Sequence, residues 1–378
     1  MLLEVHMLKN YPSTNLNRDE TGAPKTCLFG GYTRGRISSQ CLKRSWRTSD
    51  LFCQAIGEEN LGIRTRKFPQ LVCDVLAEMG VAEDIRKEIQ PKISGFGNKE
   101  GKENKEGSMT AQVMFFAPQD IQAVAETVKG ILDECEDSKA VKKLKAKDLQ
   151  AAINGANVRP VTLDIALFGR MVTSNAFRDV EASMQVAHAI STNKVALESD
   201  YFTAMDDLLS GDTMEEIGSA MIGDIDYNSS CYYIYAALDL NALKENLKYT
   251  EKAKELIEQA IPALLSTMAM TNPSGKQNSF AGHTLPSAMM IEMKQDKIPV
   301  NLANAFAEPV RPTSTGDLVQ NSIQKLADEV ETIENDFGLS VDKRLWFCTS
   351  KYDVKPKCDA VMCSNFNELL NQVTEMIK

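Results

Sequence analysis

Residues 21–49, TGAPKTCLFGGYTRGRISSQCLKRSWRTS, hold six cations (Lys25, Arg34, Arg36, Lys43, Arg44, Arg47) and not one carboxylate. The stretch also marks where extended chain gives way to helix, so its reading decides the fold class. Upstream, MLLEVHMLKN alternates: Leu3, Val5 and Met7 share one face, Glu4 and His6 the other, the period of a strand. A polar connection with Pro12, Asn15, Asn17, Gly22 and Pro24 follows. At Ser38-Ser39-Gln40 a helix is predicted to begin, with Ser38 or Ser39 as N-cap, and to continue to about Gly57. Leu42, Trp46 and Phe52 supply its apolar side, while Lys43 and Arg47, four apart, share a face.

Around this island the chain is acidic. Its 378 residues carry 42 Lys+Arg against 52 Asp+Glu, a formal charge of −10. A solvated surface mixes signs, so a single-sign island points to an anionic partner, nucleic acid first. The net charge argues against broad non-specific duplex binding but not against a narrow basic groove. The length suits two or three units with substantial cores. No apolar run reaches the roughly 18 residues of a membrane span, and the N-terminus is too polar for a secretory signal. The nine cysteines are odd in number and scattered, with no C-x-x-C, which fits reduced thiols in a cytoplasmic protein. His6, His188 and His283 read as structural, and neither a metal nor a cofactor is expected.

Further along, 68–92 and 119–153 read as helices. Between them ISGFGNKEGKENKEGSM looks like a solvated loop. It fails as a phosphate loop because three residues rather than four separate Gly97 from Gly101, and Glu103 follows Lys102 where Ser or Thr is needed. Val161, Leu163, Ile165 and Leu167 alternate with Thr162, Asp164, Ala166 and Phe168, predicting a strand that Gly169 breaks. An acidic excursion between strand-like segments near 194 and 231–240 leads to a helix at 250–270. Residues 259–291 then contain no carboxylate and include Lys276, Gln277 and His283. Helices near 316–336 and 365–377 finish the chain. Strands and helices mixed without a βαβ rhythm give an α+β class.

For catalysis the motifs are missing: no G-x-S-x-G, H-E-x-x-H, G-x-G-x-x-G or kinase signature. Asp206-Asp207, Glu215-Glu216 and Asp224/Asp226 could hold Mg²⁺ for nuclease chemistry, but such pairs are commoner on solvated faces. For nucleic acid, Ser38, Ser39 and Gln40 add donors at a helix N-terminus, and Gly30 and Gly31 would permit close backbone approach. Phe29, Tyr32, Trp46, Met171 and Phe202 are the candidate stacking or wedging groups, Trp46 reading better as core. The RNP1 aromatic pattern is absent.

LNRDETGAPKTCLFGGYTRGRISSQCLKRSWR at 16–47 and DIALFGRMVTSNAFRDVEASMQVAHAISTNKV at 164–195 resemble two signatures of the CasC family, the backbone subunit of type I-E CRISPR Cascade. SDYFTAMDDL follows in the expected order, and SGKQNSFAGHTLPSAMM is a weaker third match; 60–155 and the C-terminal fifth diverge. The resemblance implies an RRM-like (ferredoxin-like) palm at 1–60, 158–191 and 233–378, helical fingers at 61–157 and a thumb hairpin at 192–232. It implies that Arg18, Lys25, Ser38, Gln40, Lys43, Arg44 and Arg47 line an RNA groove, with Lys276 and Gln277 as further backbone contacts. Arg170 and Met171 are candidate RNA contacts, the resemblance implying that Met171 inserts among the bases and that Phe202 sits where a base leaves the guide. The implied partners are CRISPR RNA, target DNA through that RNA, further copies of the chain and other Cascade subunits. The implied role is non-catalytic. A metal-dependent ribonuclease and a generic single-strand binder are the alternatives.

Overall fold

The computed structural model describes residues 1–104, 107–135, 138–154, 159–174, 176–204, 221–339 and 341–378. The chain divides into two compact units: Met1–Phe52 with Val186–Ala237 and Ile261–Lys378, and Cys53–Gln185 with Leu238–Ala260. Among the described residues no helix is long and apolar enough to cross a membrane.

The first unit is α+β, built on a large, mostly antiparallel sheet. Its strands include β1 (Leu2–Thr14), β2 (Thr26–Phe29), β3 (Tyr32–Ile37), β4 (Ala189–Ser191), β5 (Glu198–Ala204), β6 (Met221–Asp239), β7 (Ala288–Lys294), β8 (Lys343–Cys348) and β9 (Val361–Cys363), with the short strand Met184–Val186 also paired to β6. They run in the order β9-β8-β7-β1-β6-β4-β3-β2, with β5 paired to β6. β1 and β7 are antiparallel from Leu2↔Lys294 to Leu8↔Ala288, and β8 with β9 is parallel. Leu8, Tyr233, Tyr235, Met290, Phe306 and Trp346 pack with Ile323, Leu326 and Val330 of the helix Leu318–Phe337 into one core.

β1 is the predicted strand, but it has no solvent face. Glu4 and His6 are as buried as Leu3 and Val5. They tolerate this because each is bonded: His6 Nδ1 lies 2.8 Å from Tyr233 Oη, and Glu4 accepts from Tyr235 Oη and from Val300 N. Lys294 bridges Glu4 and Glu292, and Arg344 Nε donates to Glu292 at 2.7 Å. A buried charge pair with its remaining bonds satisfied is tolerated where a lone one is not.

The 26–37 stretch, predicted as a connection, is the hairpin β2–β3. Gly30 and Gly31 occupy its two-residue turn at φ +59° and +82°, the left-handed pair that a tight hairpin turn needs. The close approach at Gly30 is to the protein itself, since a Cβ there would stand 1.9 Å from Ala307 O, whereas one on Gly31 would meet nothing within 4 Å. The predicted helix to Gly57 is two helices, α1 (Ser39–Arg47) and α2 (Asp50–Ile56). Hydroxyls explain the break: Thr48 Oγ1 and Ser49 Oγ donate back to Arg44 O and Trp46 O, and Ser49 Oγ then accepts from Phe52 N.

The second unit packs helices Phe68–Glu78, Glu83–Ser94 and Pro118–Asp133 with a short antiparallel pair, Ile63–Thr65 and Met114–Phe116. Phe68 stacks on Phe116 at 4.0 Å, and Phe177 meets Phe68 edge-on. The predicted strand at 161–167 is a helix, Leu163–Phe168, buried on every side. All-round burial erases the polar stripe that separates periods of 2 and 3.6. Asp164 Oδ1 fixes it, accepting from Ile165 N, Thr162 Oγ1 and Gly62 N. The start of the predicted solvated loop, 93–97, is buried, while Lys99, Glu100, Lys102 and Glu103 beyond it are exposed. Phe96 is fully buried, and Gln150 Nε2 donates to Gly95 O and Asn98 O.

Candidate nucleic-acid interface

Three segments of the first unit enclose a groove of ≈940 Å³: 16–22, 38–50 and 271–275. The first two are tied at the start of α1, where Ser38 N donates to Asn17 Oδ1 at 2.8 Å and Ser38 Oγ accepts from Cys41 N as N-cap. The 19–23 turn is closed by Asp19, whose Oδ1 accepts from Thr21 N, Thr21 Oγ1 and Ala23 N. The Thr21 hydroxyl and then these amides hold its carboxyl below the usual range. Asn15 Nδ2 bridges Gly22 O and Asp226 O, joining the turn to β6. The third segment lies against the first so tightly that a Cβ on Gly275 would stand 2.3 Å from Leu16 O.

Helical spacing sorts the residues of α1. Leu42 and Trp46 are buried, whereas Gln40, Cys41, Arg44, Ser45 and Thr48 line the groove. Arg18, Ser38, Gln40 and Arg44 therefore meet in one place. Lys43 and Arg47 occupy the adjoining flank of α1 and do not line it; burial lowers the Lys43 pKa. Lys25 stands beside the groove, because Lys25 and Arg44 both act on the Cys41 thiol, which burial nevertheless pushes up. Burial and then Arg36 and Lys25 lower the pKa of His188, whose Nδ1 is 3.2 Å from Arg36 Nη1. A cationic stripe thus continues from Arg44 past Lys25 to Arg36, with the His188 imidazole beside Arg36 held toward its neutral form. Lys276, in left-handed conformation at φ +52°, and Gln277, which donates to Pro273 O, follow the third segment.

The lining also holds Asp19, Glu20 and Asp50, so the groove is a mixed polar surface with arginines, amides and hydroxyls. Asn17, Asn272, Ser274 and His188 carry no charge signal in sequence and were missed as candidates. Asn17 was visible inside the 16–47 block, Asn272 precedes the Pro-Ser-Gly-Lys segment and Ser274 lies within it.

Arg34 and Arg170, which read as cations in basic stretches, are interior. Arg34 is fully buried and donates to Ser191 O, Thr192 O, Phe306 O and Ala307 O. In the second unit Arg170 Nη1 donates to Asp120 Oδ2 at 2.5 Å, and Arg159 Nε reaches the same carboxylate. Arg170 is 5 % exposed and offers no surface to a polyanion, whereas its neighbour Met171 is 92 % exposed. Phe202 lies on β5 opposite Gly223, half-buried, with its ring over that glycine. The acidic pairs Asp206-Asp207 and Glu215-Glu216 lie outside the described residues. Among the described residues no three His, Cys, Asp or Glu side chains are grouped to hold a metal.

The model of the CT1975-like protein family matches residues 3–372. The chain belongs to that family. The CT1975-like chain is also similar to two solved structures, each covered over 100% of both chains. One, titled "CRISPR RNA-guided surveillance complex, pre-nicking", has a TM-score of 0.80 at 22% identity. The other, "CRISPR RNA-guided surveillance complex", has a TM-score of 0.59 at 20% identity. At these identities the likeness is one of fold. No curated protein matches the chain.

Proposed function

We propose that this chain is the guide-RNA-binding backbone subunit of a type I-E CRISPR Cascade complex. In this reading it polymerises along CRISPR RNA in the cytoplasm, beside other Cascade subunits, and presents the guide for pairing with target DNA in antiviral defence. The observation that carries it is the groove, where Arg18, Ser38, Gln40 and Arg44 converge with a third segment about 230 residues distant in sequence. Arginines, amides and hydroxyls suit a sugar-phosphate chain and read no bases. Base pairing would do the reading, and the subunit would act as a scaffold rather than an enzyme. The titles of the two similar structures agree with that assembly.

Strand order supports an RRM-like palm. β7-β1-β6-β4 reads 4-1-3-2 once β1, β4, β6 and β7 are taken as its first to fourth strands, with α1 after the first and the helix Ala253–Met270 after the third. The fingers at 61–157 then fall within the second unit, and the β5–β6 hairpin is the thumb. Exposed Met171 suits insertion among bases, and Phe202 suits the point where a base is displaced.

Purifying the protein from cells that carry the companion subunits and sequencing the bound nucleic acid tests this. Uniform RNA of repeat-flanked sequence is expected. Random RNA fragments, or DNA alone, would overturn it.

A further inference from the structure

Beneath the groove lies a buried cation that the reading above does not use. Lys9 of β1 is 0% exposed, and its Nζ donates to Ala269 O at 2.8 Å and Thr271 O at 3.2 Å. Ala269 is in the last turn of the helix Ala253–Met270, where carbonyls lack intrahelical partners and the helix dipole is negative. Two residues along β1, Tyr11 Oη donates to Asn272 Oδ1 at 2.9 Å, and Asn272 Nδ2 donates to Thr284 O. Thr271 and Asn272 are themselves groove lining, and Ser274 and Gly275 continue it toward Lys276.

We propose that Lys9 is a positioning residue of the groove: its charged ammonium clamps the end of the helix Ala253–Met270 to β1 and so holds Thr271, Asn272, Ser274 and Lys276 where they meet an RNA backbone. This rests on the groove being the RNA site. Two carbonyls are good acceptors for an ammonium but neutralise none of its charge, and burial lowers the Lys9 pKa to about 7. A polyanion laid in the groove favours the charged form, so RNA binding takes up a proton near neutrality. The titratable groups around Tyr11 do not compete. Cys41, Tyr11 and Tyr232 all have pKa values raised by burial and stay neutral below pH 8.5. Asp19, which lines the groove above, has its carboxyl held below the usual range and stays ionised over the same interval.

Stability and binding then respond to pH with opposite signs. Above pH 7 the folded chain holds Lys9 neutral while the unfolded chain keeps it protonated toward 10.5, so the unfolded state binds more protons and stability rises with pH. RNA affinity falls over the same window as the clamping form is depleted.

The test measures binding of the full chain to an unstructured single-stranded RNA oligonucleotide at pH 6.5 and 8.5, constant ionic strength, for the native protein, Lys9→Met and Lys9→Arg. Native affinity should fall on the order of tenfold across the interval. Lys9→Met should bind at pH 6.5 as weakly as the native protein does at 8.5, with a flat profile. Lys9→Arg, charged at both values, should restore binding at 8.5. Should Lys9→Met not fold, Lys9→Arg and the ¹³Cε titration of Lys9 with and without RNA decide: an unmoved titration overturns the proposal. An unchanged pH profile in Lys9→Met overturns it as well. If Arg18→Glu with Arg44→Glu leaves RNA binding intact, the groove reading fails instead, which keeps the two failures apart.

Discussion

The arginines of the sheet's interior and those of the groove have the same side chain and opposite uses. Arg34 donates to four carbonyls and Arg344 reaches Glu292 and Glu334, all inside the first unit. Arg18 and Arg44 stand exposed on the groove wall. The same contrast divides two buried lysines. Burial opposes charge on Lys294 too, yet Glu292 and Glu4 beside it hold its pKa above the ordinary lysine value. Lys9, given carbonyls, goes down. A cation's use is set by its partners, not by its place in a basic run.

Removing a buried partner should give the largest effect. Arg344→Leu leaves Glu292 and Glu334 short of a cation and should cost about 3–5 kcal/mol in a denaturant titration. A change below 1 kcal/mol would show that the interior pairs are not structural. Arg170→Met, which leaves the buried Asp120 with Arg159 as its one remaining cation in the second unit, should also be destabilising, by about 1–3 kcal/mol, and change RNA affinity only through lost folding. If a folded Arg170→Met protein loses RNA affinity, interior and surface arginines are not separable as argued.

The groove pair should behave in reverse. Arg18→Glu with Arg44→Glu is expected to leave stability within about 0.5 kcal/mol and to weaken RNA binding on the order of 100-fold. Its salt dependence should flatten by about 1.4 in log–log slope, two phosphate contacts on a single strand. Lys43→Glu with Arg47→Glu, on the adjoining flank of α1, sharpens the comparison. A loss of about tenfold places RNA over both flanks, and an equal loss would move the path off the groove. Phe202→Ala should be the mildest in isolation, with folding intact because Phe202 is only half-buried, and its effect confined to assembly or target binding. A collapsed melting temperature would make Phe202 core.

Local signals were legible in the sequence. The Ser38 cap and the Leu42/Trp46 stripe of α1 depend on neighbours within one turn, and both are found where predicted. The hairpin of β2 and β3 was written in Gly30-Gly31 but masked by the charge around it. Leu163–Phe168 was misread because an apolar run hides its period. What no local pattern could show is closure at long range. Glu4 looks solvated until Lys294 arrives, and Arg34 looks free until the Phe306 carbonyl does. The third wall of the groove, 271–275, comes from the far half of the chain.

Ultraviolet cross-linking of the RNA-loaded protein, read by peptide mass spectrometry, tests the groove most directly. Adducts should concentrate on peptides spanning 16–25, 38–48 and 271–285. Adducts confined to other peptides, with these three clean, would contradict it.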